Sequence, residues 1–224
     1  MVKKFLALVG SPRPESTSGF FAQHLVDGFA ARGWEAQALT ACLAMRQPEK
    51  WPALEKAYRE ADVVGLVTPL YVDSLPAELT ATLERLAQTT PKSSGRLFAV
   101  MNCGFAEASQ NDTALEICRL FARDAGWRWS GGLAIGGGGM FSGQPLKNQG
   151  GKVRHITKAF DLSVAALAEG QDIPESALKG IRRSPIPAWA YFAMGNLGMV
   201  LSAAKNGNLF RIGAQPYRGK VTSE

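Results

Sequence analysis

The chain has 224 residues, of which 46% are hydrophobic and 20% are charged, a composition typical of a soluble globular protein with a buried core. Its 25 Lys and Arg outnumber its 19 Asp and Glu, giving a net charge of +6. The basic residues are scattered, so the sequence does not indicate nucleic-acid binding. Cys42, Cys103 and Cys118 form no CxxC pair, which excludes the usual zinc and iron–sulfur spacings and is typical of a reduced, cytoplasmic protein.

Short apolar runs along the chain predict buried strands. The N-terminal run is too short for a signal peptide and is interpreted as the first strand. Unbroken hydrophobicity is typical of a strand that is covered on both faces. The predicted strands are residues 5–9, 63–67, 97–101 and 132–136, with a weaker candidate at 35–43.

Between these runs, apolar residues recur at the i, i+3, i+4, i+7 spacing of a helix face. Examples are Phe21, Leu25 and Phe29, and then Leu79, Leu83 and Leu86. The same spacing recurs over residues 114–125 and 153–167. This strand–helix alternation predicts an α/β protein with a doubly wound parallel sheet.

The chain changes character after Gly170, and we predict two regions: a domain of residues 1–170 and an extension of residues 171–224. Pro187 is suited to the start of a helix and Asn206-Gly207 to its end, which predicts a helix over 188–204. Because this helix is apolar nearly all round, it is expected to pack on the domain or on a partner subunit. Contact with a membrane is the less favoured interpretation.

The loop after the first strand, GSPRPESTSG, indicates an anion site. Its hydroxyl groups and its arginine can bind phosphate oxygens, together with the free N–H groups that begin the next helix. The candidate residues are Ser11, Arg13, Ser16, Thr17 and Ser18. The loop lacks the GxxxxGK[ST] and GxGxxG patterns, so one phosphate fits better than a triphosphate or a dinucleotide. The alternative is an ordinary helix cap.

Two further strand-end loops carry candidate residues for a planar ring. Tyr71 follows the third strand and Phe105 follows the fourth, where Gly104 permits close approach of a ligand to the backbone. Alternatively, these residues only cover the sheet edge and form turns. The tetraglycine loop at 136–139 is interpreted either as a flap beside a ligand or as a flexible connection.

No metal site is predicted, because His24 and His155 lack partners at ligand spacing. No catalytic residue is assigned either, since the strand-end loops contain no Ser/His/Asp set and no paired carboxylates. A ligand cleft without acid–base groups suggests that a cofactor carries the chemistry.

Three motifs, taken in their order along the chain, resemble motifs of a known family. GSPRPESTS resembles the GSxRxxSxT signature of the flavodoxin-like NADPH-dependent FMN reductases and quinone reductases. PLYVDSLPAEL is similar to their second flavin loop, and the segment from NCGF to GGGGM is similar to the later half of multimeric-flavodoxin-type oxidoreductases. The resemblance covers about residues 3–170. Iron–sulfur members of this group carry a compact cysteine cluster, which this chain lacks.

The resemblance implies a flavodoxin-like three-layer sandwich with strand order 2-1-3-4-5 and non-covalent FMN at the first and third strand ends. It implies that Ser11, Arg13, Ser16 and Ser18 hold the phosphate. The residues implied to flank the isoalloxazine are Pro69, Leu70, Tyr71, Asn102, Gly104 and Phe105.

The function implied is transfer of hydride from NAD(P)H through flavin to a quinone-like or other small acceptor, in a homodimer or higher homo-oligomer. The basic net charge favours a reductase over an electron-carrier flavodoxin, which is usually acidic. The alternatives are a flavodoxin-like binding or regulatory module without turnover, and a membrane-surface electron-transfer protein that uses the apolar helix.

Overall fold

A computed structural model describes residues 2–13, 15–90, 94–141, 143–184 and 186–215. The chain forms two compact units, Met1–Pro185 and Ile186–Glu224.

The first unit is built on one sheet of five parallel strands in the order β2-β1-β3-β4-β5. The strands are β1 (Lys4–Val9), β2 (Glu35–Thr40), β3 (Val63–Pro69), β4 (Arg96–Asn102) and β5 (Arg128–Ile135). The chain moves outward from β1 to β2 and then crosses to β3 on the other side, so the strand order reverses between β1 and β3. This arrangement confirms the flavodoxin-like sandwich.

Helices connect the strands, because parallel neighbours require a crossover connection. They are α1 (Thr17–Ala30), α2 (Ala41–Arg46), α3 (Trp51–Glu60), α4 (Ala77–Thr89), α5 (Asp112–Asp124), α6 (Arg154–Ala168) and α7 (Glu175–Ile181). The first helix α1 begins after Ser16, whose side chain accepts a hydrogen bond from the Gly19 N–H.

Alternating side chains of the central strands fill two apolar layers, one on each face of the sheet. Phe5 and Val9 of β1 pack with α1, α6 and α7. Leu6 and Leu8 of the same strand pack with α2, α3, α4 and α5. This double burial explains why the central strands are continuous apolar runs in the sequence.

The edge strand β2 differs from the prediction. It ends at Thr40, and residues 41–46 form α2 instead of continuing the strand to 43. Among the described residues, β2 pairs with β1 alone, and that pairing stops at Val9 opposite Thr40. Without a further partner, the good helix formers Ala41–Arg46 turn into a helix. Helix α3 was not predicted.

The second unit contains α8 (Ala188–Lys205), which Pro187 precedes and Asn206 follows. The predicted helix over 188–204 therefore matches α8 to within one residue at its end. No residue of α8, all of which the structure describes, is buried. In the described part of the chain, no helix combines the length and apolar character that crossing a bilayer requires.

Candidate functional site

Loops from four strands meet at the carboxyl ends of the sheet and enclose a cavity of about 380 Å³. In a doubly wound sheet this edge, where the strand order reverses, is the usual place for a ligand. Ten of the eleven predicted site residues line the cavity: Ser11, Arg13, Ser16, Thr17, Ser18, Pro69, Leu70, Tyr71, Asn102 and Gly104. Phe105 is not among the lining residues, and its side chain is 50% exposed.

The first of these loops leaves β1 through Gly10, which lies too close to β3 for a side chain. The Gly10 N–H donates to the Val67 carbonyl at 2.9 Å. A Cβ at Gly10 would lie 2.4 Å from the Thr68 hydroxyl and 2.7 Å from Leu79. Glycine at this position therefore lets the loop begin between β1 and β3, at the reversal of strand order.

The hydroxyl groups of this loop have different partners. Ser16 is the N-cap of α1 and accepts from the Gly19 N–H at 3.0 Å, so its own hydrogen is free to be donated to a ligand. The Ser18 hydroxyl donates to Asn102 Oδ1 at 2.9 Å, and Ser18 is 1% exposed. Ser11, also buried, accepts from the Arg13 N–H at 3.3 Å. The helix cap and the predicted anion site therefore share the same residues, and the two interpretations do not exclude each other.

Arg13 supplies the positive charge of the loop. Its side chain is exposed and lines the cavity. No carboxylate of the described residues lies within ion-pair distance of its guanidinium group, which is therefore available to an anionic ligand. The N–H groups of Thr17 and Ser18, in the first turn of α1, add donors that the helix itself does not use.

The loop after β3 forms a tight turn that presents Tyr71. The Tyr71 and Ser74 backbones exchange hydrogen bonds of 3.0 and 3.1 Å, and the two residues between them, Val72 and Asp73, have φ of 48° and 58°. The Leu70 N–H donates to the Asn102 carbonyl at 2.8 Å, which fixes this loop to the end of β4. Tyr71 lies at the cavity with 39% of its surface exposed.

The loop after β4 is held by Asn111, which is fully buried. Its amide donates to the Ala108 and Ile135 carbonyls at 3.0 and 3.2 Å and to Cys103 Sγ at 3.4 Å. Cys103 also lines the cavity, although it was not among the predicted site residues. Burial raises the pKa of the Cys103 thiol, so it is protonated at neutral pH.

The glycine-rich loop after β5 packs directly against the β4 loop. The Gly137 N–H donates to the Phe105 carbonyl at 2.6 Å, and the Gly138 N–H donates to the Cys103 carbonyl at 2.8 Å. A Cβ at Gly136 would lie 2.4 Å from the Ala106 carbonyl oxygen, and one at Gly138 would lie 2.6 Å from that of Cys103. These glycines therefore permit close contact between two backbones.

Five residues that were not predicted also line the cavity: Glu15, Cys103, Gly138, Phe141 and Gly143. The tetraglycine run immediately after the last strand was the sequence signal for this side of the cavity, and it was interpreted as a flap or a flexible connection. Phe141 is 8% exposed and packs edge-on against Phe21 of α1, with ring centroids 5.7 Å apart. That contact links the glycine loop to the apolar layer beneath it.

The cavity combines two chemical environments that suit FMN. Hydroxyl groups, backbone N–H groups and a guanidinium lie on the β1–α1 side, and all of them can donate hydrogen bonds to phosphate oxygens. Leu70, Tyr71 and Phe141 are the large apolar side chains among the other lining residues. A volume of about 380 Å³ falls within the range of small-molecule sites.

Comparisons with solved structures show the same fold. RosB, solved with bound 8-demethyl-8-formylriboflavin-5'-phosphate, is 14% identical with a TM-score of 0.60, and the match covers 88% of each chain. A putative quinone reductase from Klebsiella pneumoniae is 14% identical with a TM-score of 0.56, covering 77% of this chain and 87% of that one. An FMN-dependent NADH-azoreductase from Bacillus anthracis, in complex with FMN, is 12% identical with a TM-score of 0.52, covering 74% and 100%.

Sequence comparison identifies the family. No curated protein matches the chain. The family described as NADPH-dependent FMN reductase matches residues 3–126, which is more than half of the chain and includes the β1, β3 and β4 loops. The chain therefore belongs to the NADPH-dependent FMN reductase family, as a flavin oxidoreductase with FMN as its cofactor and NAD(P)H as its co-substrate.

Proposed function

We propose that the chain holds FMN in the strand-end cavity, with the phosphate at the β1–α1 loop, and transfers hydride from NAD(P)H to a quinone-like or other small acceptor. The observation that carries this proposal is the chemical asymmetry of the cavity. Donor groups gather on the side of Ser11–Ser18, and aromatic and aliphatic groups lie elsewhere along its wall.

The phosphate would be bound by Arg13, Ser11, Ser16 and Thr17. Arg13 offers two parallel N–H groups to phosphate oxygens. Ser16 and Thr17 are half-buried, so their hydroxyl hydrogens face a site partly shielded from water. Ser18 contributes its backbone N–H rather than its hydroxyl, since the hydroxyl already donates to Asn102.

The isoalloxazine would lie against Pro69, Leu70 and Tyr71 on one side and Asn102 with Gly104 on the other. The bond from Ser18 occupies Asn102 Oδ1 and leaves the Nδ2 group as a donor for the ring. A Cβ at Gly104 would meet no atom within 4 Å, so the wall is open there. That Phe105 also contacts the ring stays a prediction.

When bound, FMN supplies the hydride-accepting chemistry, so the protein needs no acid–base pair of its own. The residues around the cavity bind the cofactor, orient it and limit the access of water. The proposed acceptor agrees with two structural neighbours, which are described as a putative quinone reductase and an azoreductase. Tyr71, exposed at the cavity wall, is suited to stack on a flat acceptor.

The replacement Arg13→Ala tests the phosphate assignment. It is expected to weaken FMN binding by about tenfold or more, because it removes a charge-assisted bond. Riboflavin affinity should change by less than about twofold, since riboflavin has no phosphate. Both dissociation constants are measured by fluorescence titration of the flavin.

Arg59→Ala, which removes an exposed arginine from α3, is the matched control and should leave both affinities unchanged. Equal losses for FMN and riboflavin in Arg13→Ala would contradict the assigned role.

A further inference from the structure

A groove between α6 and α7 lies apart from the cofactor cavity, and no described residue lines both. Its volume is about 390 Å³, which is also the size of a small-molecule site. Lys158 and Leu162 of α6 form one wall, and Lys179, Gly180 and Arg183 form the other.

Three basic side chains, Lys158, Lys179 and Arg183, line this groove, which lies in a basic part of the chain. Residues 147–183 contain seven Lys or Arg and four Asp or Glu, so they contribute +3 of the net charge of +6. Three of the four carboxylates already face a basic partner: Asp161 faces His24 at 3.1 Å, Asp172 faces Arg128 at 2.8 Å, and Glu175 faces Lys179 at 3.0 Å. Within the described chain, no carboxylate lies at ion-pair distance from Lys158 or Arg183.

The floor of the groove is apolar. Ala159 is 2% exposed, and Leu162 keeps 36% of its surface exposed at the wall. A Cβ at Gly180 would meet no atom within 4 Å, so space is open above this helical glycine. Small residues on both helices therefore leave a trough where larger side chains would fill it.

Arg183 lies at one end of the groove and Leu162 at the other. Asp172, before α7, pairs with Arg96 and Arg128 at the starts of β4 and β5, and Arg182, after α7, pairs with Asp112 at the start of α5. Helix α7 therefore runs toward the strand ends, opposite to α6, whose Ala168 carbonyl accepts from Lys3 near the start of β1. His155 of α6 and Arg183 consequently lie at one end, and Leu162 with Ser176 at the other. Seven residues of helix separate His155 from Leu162, a distance of about 10 Å.

We propose that this groove binds a small amphiphilic carboxylate, with the carboxylate at Arg183 and Lys158 and the aliphatic chain along Ala159, Leu162 and Gly180. The guanidinium group of Arg183 can pair with both carboxylate oxygens. The apolar chain gains free energy by leaving water for the trough. This site is independent of the flavin chemistry and does not rest on the proposed acceptor.

The probe for this site is decanoate, titrated by calorimetry into the full-length FMN-bound protein. Saturable binding at one site per chain is expected. Acetate, which has the charge without the chain, and decanol, which has the chain without the charge, should each bind about tenfold more weakly or worse. Binding of anionic vesicles without binding of free decanoate would overturn the proposal in favour of a membrane surface.

Two substitutions at Gly180 distinguish decanoate binding in the groove from binding at other apolar surfaces, such as that of α8. Gly180→Leu fills the trough and is expected to weaken decanoate binding at least about tenfold, whereas Gly180→Ala should retain it. Both replace glycine in a helix by a better helix former, so thermal melting should show an intact fold. Unchanged decanoate affinity in Gly180→Leu would overturn the proposal.

The double variant Lys158→Ala with Arg183→Ala tests the role of the charges. It should weaken decanoate binding by at least about tenfold. Lys50→Ala with Lys56→Ala removes the same charge near α3, on the opposite face of the sheet, and should have no effect. Equal losses in the two double variants would show a general charge effect and refute the site. FMN content and NADPH oxidation should be unchanged in all these variants.

Discussion

The hydroxyl of Ser18, which lines the cavity, has a partner that the sequence did not indicate. The sequence indicated a phosphate ligand because Ser18 lies in a hydroxyl-rich loop before a helix. The structure shows its hydroxyl donating to Asn102, which is 84 residues away in sequence, at 2.9 Å. A long-range partner of this kind leaves no local signal, so Ser18 and Asn102 were predicted to contact different parts of the cofactor.

Ser18→Ala is expected to lower the free energy of unfolding by about 1–3 kcal/mol, because it leaves the buried Asn102 Oδ1 without its donor. Urea denaturation of the apoprotein measures the effect. In a double-mutant cycle with Asn102→Ala, the two losses should be less than additive. Additive losses would show that the two side chains do not interact.

Asp172 predicts how stability depends on pH. It faces Arg128 at 2.8 Å and Arg96 at 2.5 Å, and it thereby fixes the turn between α6 and α7 to β4 and β5. The bond from Arg128, followed by that from Ser130 and the charge of Arg96, holds the pKa of Asp172 below its ordinary value of 3.8. The pKa of Asp172 is therefore lower in the folded protein than in the unfolded chain. The ion pairs stabilise the fold fully at pH values above the unfolded-state pKa, and this stabilisation is lost as the pH falls through the folded-state pKa.

Urea unfolding from about pH 6 to about pH 2 should therefore show a loss of stability at the acid end that is less steep in Asp172→Asn. Asp27→Asn is the control, since the Asp27 carboxylate accepts from Gln23 instead of a cation. An acid limb of equal steepness in Asp172→Asn and the unmodified protein would contradict this explanation.

Among the strands, those with two buried faces were predicted closely, whereas the two edge strands were predicted with the wrong bounds. The runs that became β1, β3 and β4 are apolar because helices cover both of their faces. The edge strand β2 lacks this signal, and its end depends on where β1 stops pairing. The β5 strand extends from Arg128 rather than 132, because Arg128 and Trp129 pair with the start of β4 although their composition is not that of a buried strand.

The turn at Val72 and Asp73 was not predictable from its residues. Two adjacent left-handed residues are typical of a type I′ turn, for which Asn-Gly is the usual sequence. Here a β-branched valine, 98% exposed, has φ of 48°. Its side chain gains no packing that would offset the conformational cost.

Val72→Asn combined with Asp73→Gly should therefore raise the free energy of unfolding by about 1–2 kcal/mol. Val72→Thr keeps the β-branch and should give no gain. The midpoint of urea denaturation distinguishes the three proteins. A double variant no more stable than Val72→Thr would show that the turn is unstrained.

For the whole molecule, strand–helix alternation was enough to predict a doubly wound sheet and a site at its carboxyl edge. The strand order came from the family resemblance, since no spacing in the sequence determines which strands are neighbours. The contact of Gly136–Gly138 with the β4 loop was also missed, because it depends on the approach of two backbones. Ile173, Ala177 and Ile181 pack in the apolar layer with α6, whereas it stays a prediction that the rest of residues 171–224 pack on the domain or on a partner subunit in a homo-oligomer.

The most direct test of the central claim is the visible spectrum of the purified protein, reconstituted with FMN, desalted and then treated anaerobically with NADPH and, separately, NADH. We expect the protein to retain the FMN absorption band and at least one nicotinamide to bleach it, with recovery when a quinone is added. A protein that retains no FMN after desalting, or whose bound FMN neither nucleotide reduces, would contradict the claim.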